Sequence, residues 1–395
     1  MLLQFSVTNH RSMKDTAVIS MLASKDKSLK ESIISPDGKK ELLPVMAIYG
    51  ANAAGKSNLL HAILTMRDMV AGKTAKLLKG QMLPYDPFAF GDSLNTPTSF
   101  EMIYYFEGIK YAYGFSFNHR SILEEYLYHW PNSRELLVFQ RNRNKYSFRE
   151  NINEQMTLAG RTPDNRLYLV TSNEWNCPQT EKAFLWFQKQ LTGFMGNENT
   201  LPQTIAAIRS GKDAKKHILN EMVLADLGIC DITITGETEN PAVMTTHKLF
   251  DIDGKENAYE LRLDQESQGT KRFFSRIGCW LKALKDGAVL IVDELEASLH
   301  PLLTRHLIEM MMDASINTNH AQLIFTTHDA GILDLSLLRR DQIWFAEKNE
   351  KTAVTEIYAL SEFSPRKGEN VHKGYLQGRY GAIPFIGGGV SPWEG

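Results

Sequence analysis

Residues 50–57 read Gly-Ala-Asn-Ala-Ala-Gly-Lys-Ser, a fit to the spacing G-x-x-x-x-G-K-[ST]. The octapeptide follows an apolar run, Val45-Met46-Ala47-Ile48-Tyr49, and opens a helical stretch over 58–70. A strand, a glycine-bearing turn and a helix in that order are what a phosphate-binding loop requires. They constrain the chain to an α/β fold and point to a nucleoside triphosphate as ligand. Gly50 and Gly55 permit a backbone turn that aims several N–H groups at phosphates. Lys56 supplies a point charge for the β- and γ-phosphates, and the Ser57 hydroxyl is a ligand for Mg²⁺. The dipole of the helix that starts near Lys56 adds to the anion site.

A second segment fits the same chemistry. Ala288-Val289-Leu290-Ile291-Val292 is an apolar run that ends in Asp293-Glu294. It reads as a buried parallel strand that places Asp293 at its C-terminal end, where open α/β sheets bind ligands. Asp293 suits a Mg²⁺ ion through its water shell, and Glu294 suits a general base for an attacking water. Ser267-Gln268-Gly269-Thr270 precedes a helical stretch over 271–285. The Ser267 hydroxyl, the Gly269 backbone and the helix dipole form a second anion site or an ordinary helix cap. His328 follows the strand-like run Leu323-Ile324-Phe325-Thr326-Thr327, where an imidazole can hydrogen-bond a γ-phosphate and report its loss. No His/Cys cluster has metal-ligand spacing, so no zinc site is expected.

The rest of the chain supplies context. Leu3, Phe5 and Val7 alternate on one face of a first strand, 17–21 form a second, and Pro36-Asp37-Gly38 signals a turn. Residues 98–117 read as a β-hairpin turning at Glu107-Gly108, with strand-like pieces over 121–149. Ala183, Phe184, Phe187 and Leu191, then Ile218, Met222 and Leu227, follow a helical period, so 176–230 reads as a helical insertion without coiled-coil heptads. Strand patterns return at 232–234, 246–251 and 258–263, a helix is expected over 301–315, and late strands fall at 342–346 and 353–358. The expected organisation is an N-terminal lobe over 1–175, the insertion over 176–230, and a C-terminal lobe over 231–395.

A length of 395 residues allows two or three domains. The formal net charge of −2 neither supports nor excludes binding to nucleic acid. Cys177, Cys230 and Cys279 lie too far apart for a zinc ribbon or a disulfide framework, so a reducing, cytoplasmic setting is expected. The N-terminus does not read as a secretory signal, and no run of about 18 apolar residues predicts a membrane span.

The order of these motifs resembles the ABC-type ATPase head of RecF-like, SMC-like and OLD-like proteins. Gly55-Lys56-Ser57-Asn58 and Asp293-Glu294-Leu295-Glu296-Ala297-Ser298-Leu299-His300-Pro301 are similar to the RecF/OLD branch. Asn9-His10-Arg11-Ser12 and Gly374-Tyr375-Leu376-Gln377-Gly378-Arg379-Tyr380-Gly381 resemble the compact bacterial RloA-like ATPases of phage-defence and restriction-linked loci. The likeness covers most of the chain, and is loose over 120–245.

What the resemblance implies is a mixed sheet with a phosphate-loop core, an antiparallel β subdomain and a helical insertion, and use of ATP with Mg²⁺. It implies a nucleotide site of Arg11, Gly50, Asn52, Gly55, Lys56, Ser57 and Asn58, with Ser57 and Asp293 on the metal. It also implies a homodimer, in which Ser267 and Gly269 of one copy close on the γ-phosphate held by Lys56 of the other. Glu294 would activate water and His328 would sense the γ-phosphate. Two departures stand out: Gln81 and Gln140 lack the context of a Q-loop glutamine, and the signature begins Glu-Ser rather than Leu-Ser. Sixty-seven residues follow His328, and Asp329 and Asp334 do not make the acidic cluster of a TOPRIM nuclease. A separate effector, a toxin or nuclease, is therefore the expected partner. The alternative is a RecF-like DNA-repair ATPase that binds nucleic acid directly.

Overall fold

The computed structural model describes residues 1–36, 38, 40–196, 198–225, 228–237, 241–365 and 369–383. Asp37 of the expected turn, Leu227 of the expected helical period and the end of the C-terminal lobe, 384–395, lie outside the described residues.

The chain begins with β1 (Leu2–Thr8) and β2 (Ala17–Ser20), an antiparallel pair in which Leu3, Phe5 and Val7 are buried at alternate positions. Next come β3 (Val45–Tyr49), buried throughout, and α1 (Lys56–Ala71). β4 (Thr98–Phe106) and β5 (Ile109–Phe117) form the expected hairpin. Glu107 and Gly108 at its turn both have positive φ, 48° and 77°, the geometry that matches strand twist in two-residue turns. β6 (Ile122–Trp130), β7 (Leu136–Asn142) and β8 (Lys145–Phe148) complete a seven-stranded antiparallel sheet in the order β2-β1-β4-β5-β6-β7-β8.

Helices α2 (Ile152–Gly160), α3 (Tyr168–Glu174) and α4 (Pro178–Lys189) lead to a short strand, β9 (Leu191–Phe194). Helices α5 (Leu201–Arg209) and α6 (Lys212–Ala225) follow. β10 (Ile229–Thr235), β11 (Ala242–Phe250) and β12 (Glu256–Arg262) make a small antiparallel sheet. The chain then runs through α7 (Gln268–Asp286), β13 (Val289–Val292), α8 (Pro301–Met312) and β14 (Gln322–Thr326). It ends with β15 (Ile343–Lys348), β16 (Thr355–Ala359) and α9 (Val371–Leu376).

The central sheet has the order β16-β15-β3-β14-β13-β9, parallel except for the edge strand β16. The stretch expected to be purely helical thus donates β9 to this sheet. Four residues directly after a helix are too few to show an alternating pattern. The two faces of the sheet feed two cores. Met46, Ile48, Val289, Ile291 and Ile324 pack with α1 and the aromatic face of the seven-stranded sheet. Val45, Ala47, Tyr49, Leu290, Val292, Leu323 and Phe325 pack with α7 and α8. Covering both faces is what makes these parallel strands near-continuous apolar runs. The result is the expected α/β architecture: a phosphate-loop core with an antiparallel β subdomain. No helix among the described residues is long and apolar enough to cross a membrane.

Candidate functional site

The register of the central sheet brings the two acidic and cationic motifs together. β14 lies between β3 and β13, so the loop after β3 and the carboxylates after β13 flank one strand end. Ser57 Oγ, in the first turn of α1, donates to Asp293 Oδ1 at 2.9 Å. Thr326 Oγ1, the last residue of β14, donates to the same oxygen at 2.6 Å and accepts Glu294 N–H at 2.8 Å. One threonine therefore aims the Asp293 carboxylate and fixes the backbone of Glu294. Its role rests on a contact 33 residues away, and the only sequence signal was its place at the end of the strand before His328.

Lys56 is 4% exposed and fills the inside of its own loop. Its Nζ donates to Gly50 O at 2.8 Å and Ala51 O at 3.0 Å, and faces His328 Nδ1 at 3.3 Å. An ammonium has no acceptor, so in this contact Lys56 is the donor and Nδ1 the acceptor. Nε2 lies 3.9 Å from Glu294 Oε1. His328 thus stands between the loop lysine and the candidate base. Burial draws the Lys56 ammonium down to about 8, against the pull of Asp293, Glu296 and Glu294.

Gly55 has φ 103°, and a methyl group there would overlap Thr355 Oγ1 and lie 2.7 Å from Ser12 Oγ. Thr355 Oγ1 donates to Ala54 O at 2.9 Å and its N–H donates to Ser12 O at 2.8 Å, so β16 and the N-terminal segment clasp the loop. Ser57 Oγ and Asp293 Oδ1 are hard oxygen donors, the set that Mg²⁺ takes when phosphates and water supply the remaining ligands. Among the described residues no cluster of three or more His, Cys, Asp or Glu is arranged to hold a metal ion alone.

A family model described as "AAA domain, putative AbiEii toxin, Type IV TA system" matches residues 45–334, a span that contains every residue of this arrangement except Ser12 and Thr355. The chain belongs to this family. Its core is an AAA-type ATPase domain that binds nucleotide. No curated protein matches the chain. Similar solved structures include the SMC head domain from Thermotoga maritima, at 13% identity and a TM-score of 0.41, covering 91% of this chain and 98% of that one. A Pyrococcus furiosus Smc head domain with an extended coiled coil, bound to the C-terminal domain of ScpA, gives 12%, 0.44, 96% and 99%. The cbiO1 protein of Clostridium perfringens, part of the ABC transporter complex cbiONQ, gives 13%, 0.32, 88% and 93%.

The AAA domain opens its loop onto a broad cleft lined by Gly50, Asn52, Glu294, Glu296 and His328, with the β15–β16 turn and α9 on the far side. Asn58 Nδ2 donates to Ser12 Oγ at 2.8 Å rather than into this cleft. Arg11 has φ 50° and pairs with Asp86 at 2.7 Å, beside a smaller cavity that Ser12, Asn58, Phe88 and Phe90 also line.

Ser267 and Gly269 lie elsewhere. Ser267 caps α7, accepting Thr270 N–H at 3.1 Å, and is exposed; Gly269 sits against Ser298 O. Neither lines the cleft of its own chain's phosphate loop. Glu266, before Ser267, is buried, accepting from the Thr245 hydroxyl and facing His247 Nε2 at 2.7 Å, which ties the start of α7 to β11. Gln81 accepts Leu78 N–H and Gln140 lies in β7, and neither lines the cleft. On the side of β13 away from β14 lies β9, whose last residue, Phe194, accepts Asp293 N–H at 3.3 Å.

Proposed function

We propose that the protein hydrolyses ATP with Mg²⁺, dimerises head to head on ATP, and uses that cycle to regulate or scaffold a separate effector in antiviral defence of the RloA-like kind. The chain Ser57–Asp293–Thr326–Glu294, closed by His328 at Lys56, is the observation that carries the catalytic part. Ser57 and Asp293 would hold Mg²⁺, which supplies charge neutralisation on the phosphates. Lys56 exchanges its two loop carbonyls for β- and γ-phosphate oxygens. Glu294 takes a proton from water as its oxygen bonds to the γ-phosphorus and the bond to the bridging oxygen breaks, releasing ADP. His328 lies where the γ-phosphate would be felt by both Lys56 and Glu294.

Association is supported by the exposed cap at Ser267 and by Gly269, which do not line their own cleft and suit a phosphate held by another copy. The defence setting is supported by the toxin–antitoxin wording of the family description. Glu294→Gln tests the reading. Turnover should fall by about 100-fold or more, while the variant retains ATP and runs as a dimer in light scattering with Mg²⁺ and ATP. Unchanged turnover in the variant would remove Glu294 as the base. A monomer at every nucleotide state would remove the dimer.

A further inference from the structure

Three carboxylates leave β13 within four residues: Asp293, Glu294 and Glu296. The first two have places in the proposed chemistry, and Glu296 has none. Its Oε1 accepts the backbone N–H of His328 at 2.6 Å. Its Oε2 is shut from solvent and has no hydrogen-bond partner among the described residues. A carboxylate turned inward in this way gives up hydration that one hydrogen bond does not fully replace. The bond it keeps is to the backbone of the residue whose ring joins Lys56 to Glu294.

The loop that carries Glu296 is braced on every side. Ala297 N–H donates to Glu294 O at 3.0 Å and Leu299 N–H to Glu296 O at 2.8 Å. Leu295 N–H donates to Thr326 O at 3.1 Å. Arg276, 2% exposed on α7, donates to Leu295 O at 2.9 Å. At the outer end of the loop Ser298 is exposed, with its carbonyl against Gly269. The loop is thus pinned to α7 by Arg276, to the end of β14 by the Leu295 N–H, and to the backbone of His328 by Glu296.

We infer that Glu296 is a positioning residue: it latches the loop after β13 to the backbone of His328, so that contact at Ser267, Gly269 and Ser298 is transmitted to the geometry of His328 and Glu294. The inference rests on the ATPase reading above. It gives this chain an internal link between its docking face and its own hydrolytic site, carried by a side chain at the edge of the cleft that bonds the backbone of His328.

Steady-state ATP hydrolysis by the full chain, with Glu296→Ala and Glu296→Gln beside the wild type, tests it. Losing one charge-assisted hydrogen bond should lower kcat by about 10- to 100-fold, with KM for ATP within about threefold because the phosphate contacts remain. Glu296→Gln keeps an oxygen for the His328 N–H and should recover most of kcat. If Glu296→Ala does not fold, Glu296→Met, of similar length and without an acceptor for the His328 N–H, takes its place. A glutamine variant as inactive as Glu294→Gln would show that the charge at 296 acts as a base, and would overturn the positioning role. Wild-type kcat in a folded Glu296→Ala would overturn it too. A wild-type protein without turnover would instead sink the ATPase reading on which it stands.

Discussion

At the scale of single residues, Lys56 has the environment with the clearest chemical consequence. Its ammonium is buried against two carbonyls and titrates at about 8, where a free lysine titrates at 10.5. Between those pH values the unfolded chain holds a proton that the folded chain has lost, so the fold gains stability as pH rises through that window. Binding of a triphosphate works in the opposite sense. Phosphate oxygens favour the charged amine, so the complex holds the proton and affinity falls as pH rises above about 8. At pH 8.5, ATP binding should take up a large part of one proton. Titration calorimetry in two buffers of different ionisation enthalpy reads this directly, and Lys56→Met should abolish the buffer dependence. Heats that are equal in both buffers for the wild type would mean that the amine is fully charged in the free protein.

At the scale of elements, the helix that carries the signature is held by a close crossing. Gly278 of α7 meets Thr204 of α5 so tightly that its N–H reaches Thr204 Oγ1 at 3.1 Å, and a methyl group there would lie 2.9 Å from Thr204 Cβ. Gly278→Ala should therefore force the two helices apart at a cost of about 1–3 kcal/mol or more, since part of what it meets is backbone. Urea unfolding checks this, and a midpoint equal to the wild type's would show that α5 yields freely. This crossing also shows what sequence patterns miss. β3, β13 and β14 were legible because burial on both faces leaves uninterrupted apolar runs. The hairpin at 98–117 was legible from its aromatics and its Glu-Gly turn. β9 was not, because four residues after an amphipathic helix carry no period of their own. Thr326, Glu296 and Thr355 went unassigned for a related reason. Each acts through partners 32 to 301 residues away, and nothing in the local pattern marks such a pairing.

At the scale of the whole molecule, the phosphate loop and the signature are two separate faces of one chain. Lys56, Ser57, Asp293 and His328 converge at one end of the central sheet, while Ser267 caps α7 outside that cleft. On the proposed reading a working site needs the loop of one copy and the signature of another, and a two-fold arrangement makes two such sites per dimer. That geometry allows complementation between defective copies. A Lys56→Ala chain keeps its signature and loses its loop; a Ser267→Arg chain keeps its loop and loses its signature. Each alone should be silent. In a mixture, half of the dimers are mixed, and each mixed dimer contains one whole site and one doubly broken one. Hydrolysis should therefore return to about a quarter of the wild-type rate at equal mixing, provided the sites fire independently. Some residual activity of the Ser267→Arg chain at this level on its own would mean that the loop works without a second signature. A mixture as silent as its components would mean that the two faces never meet across copies.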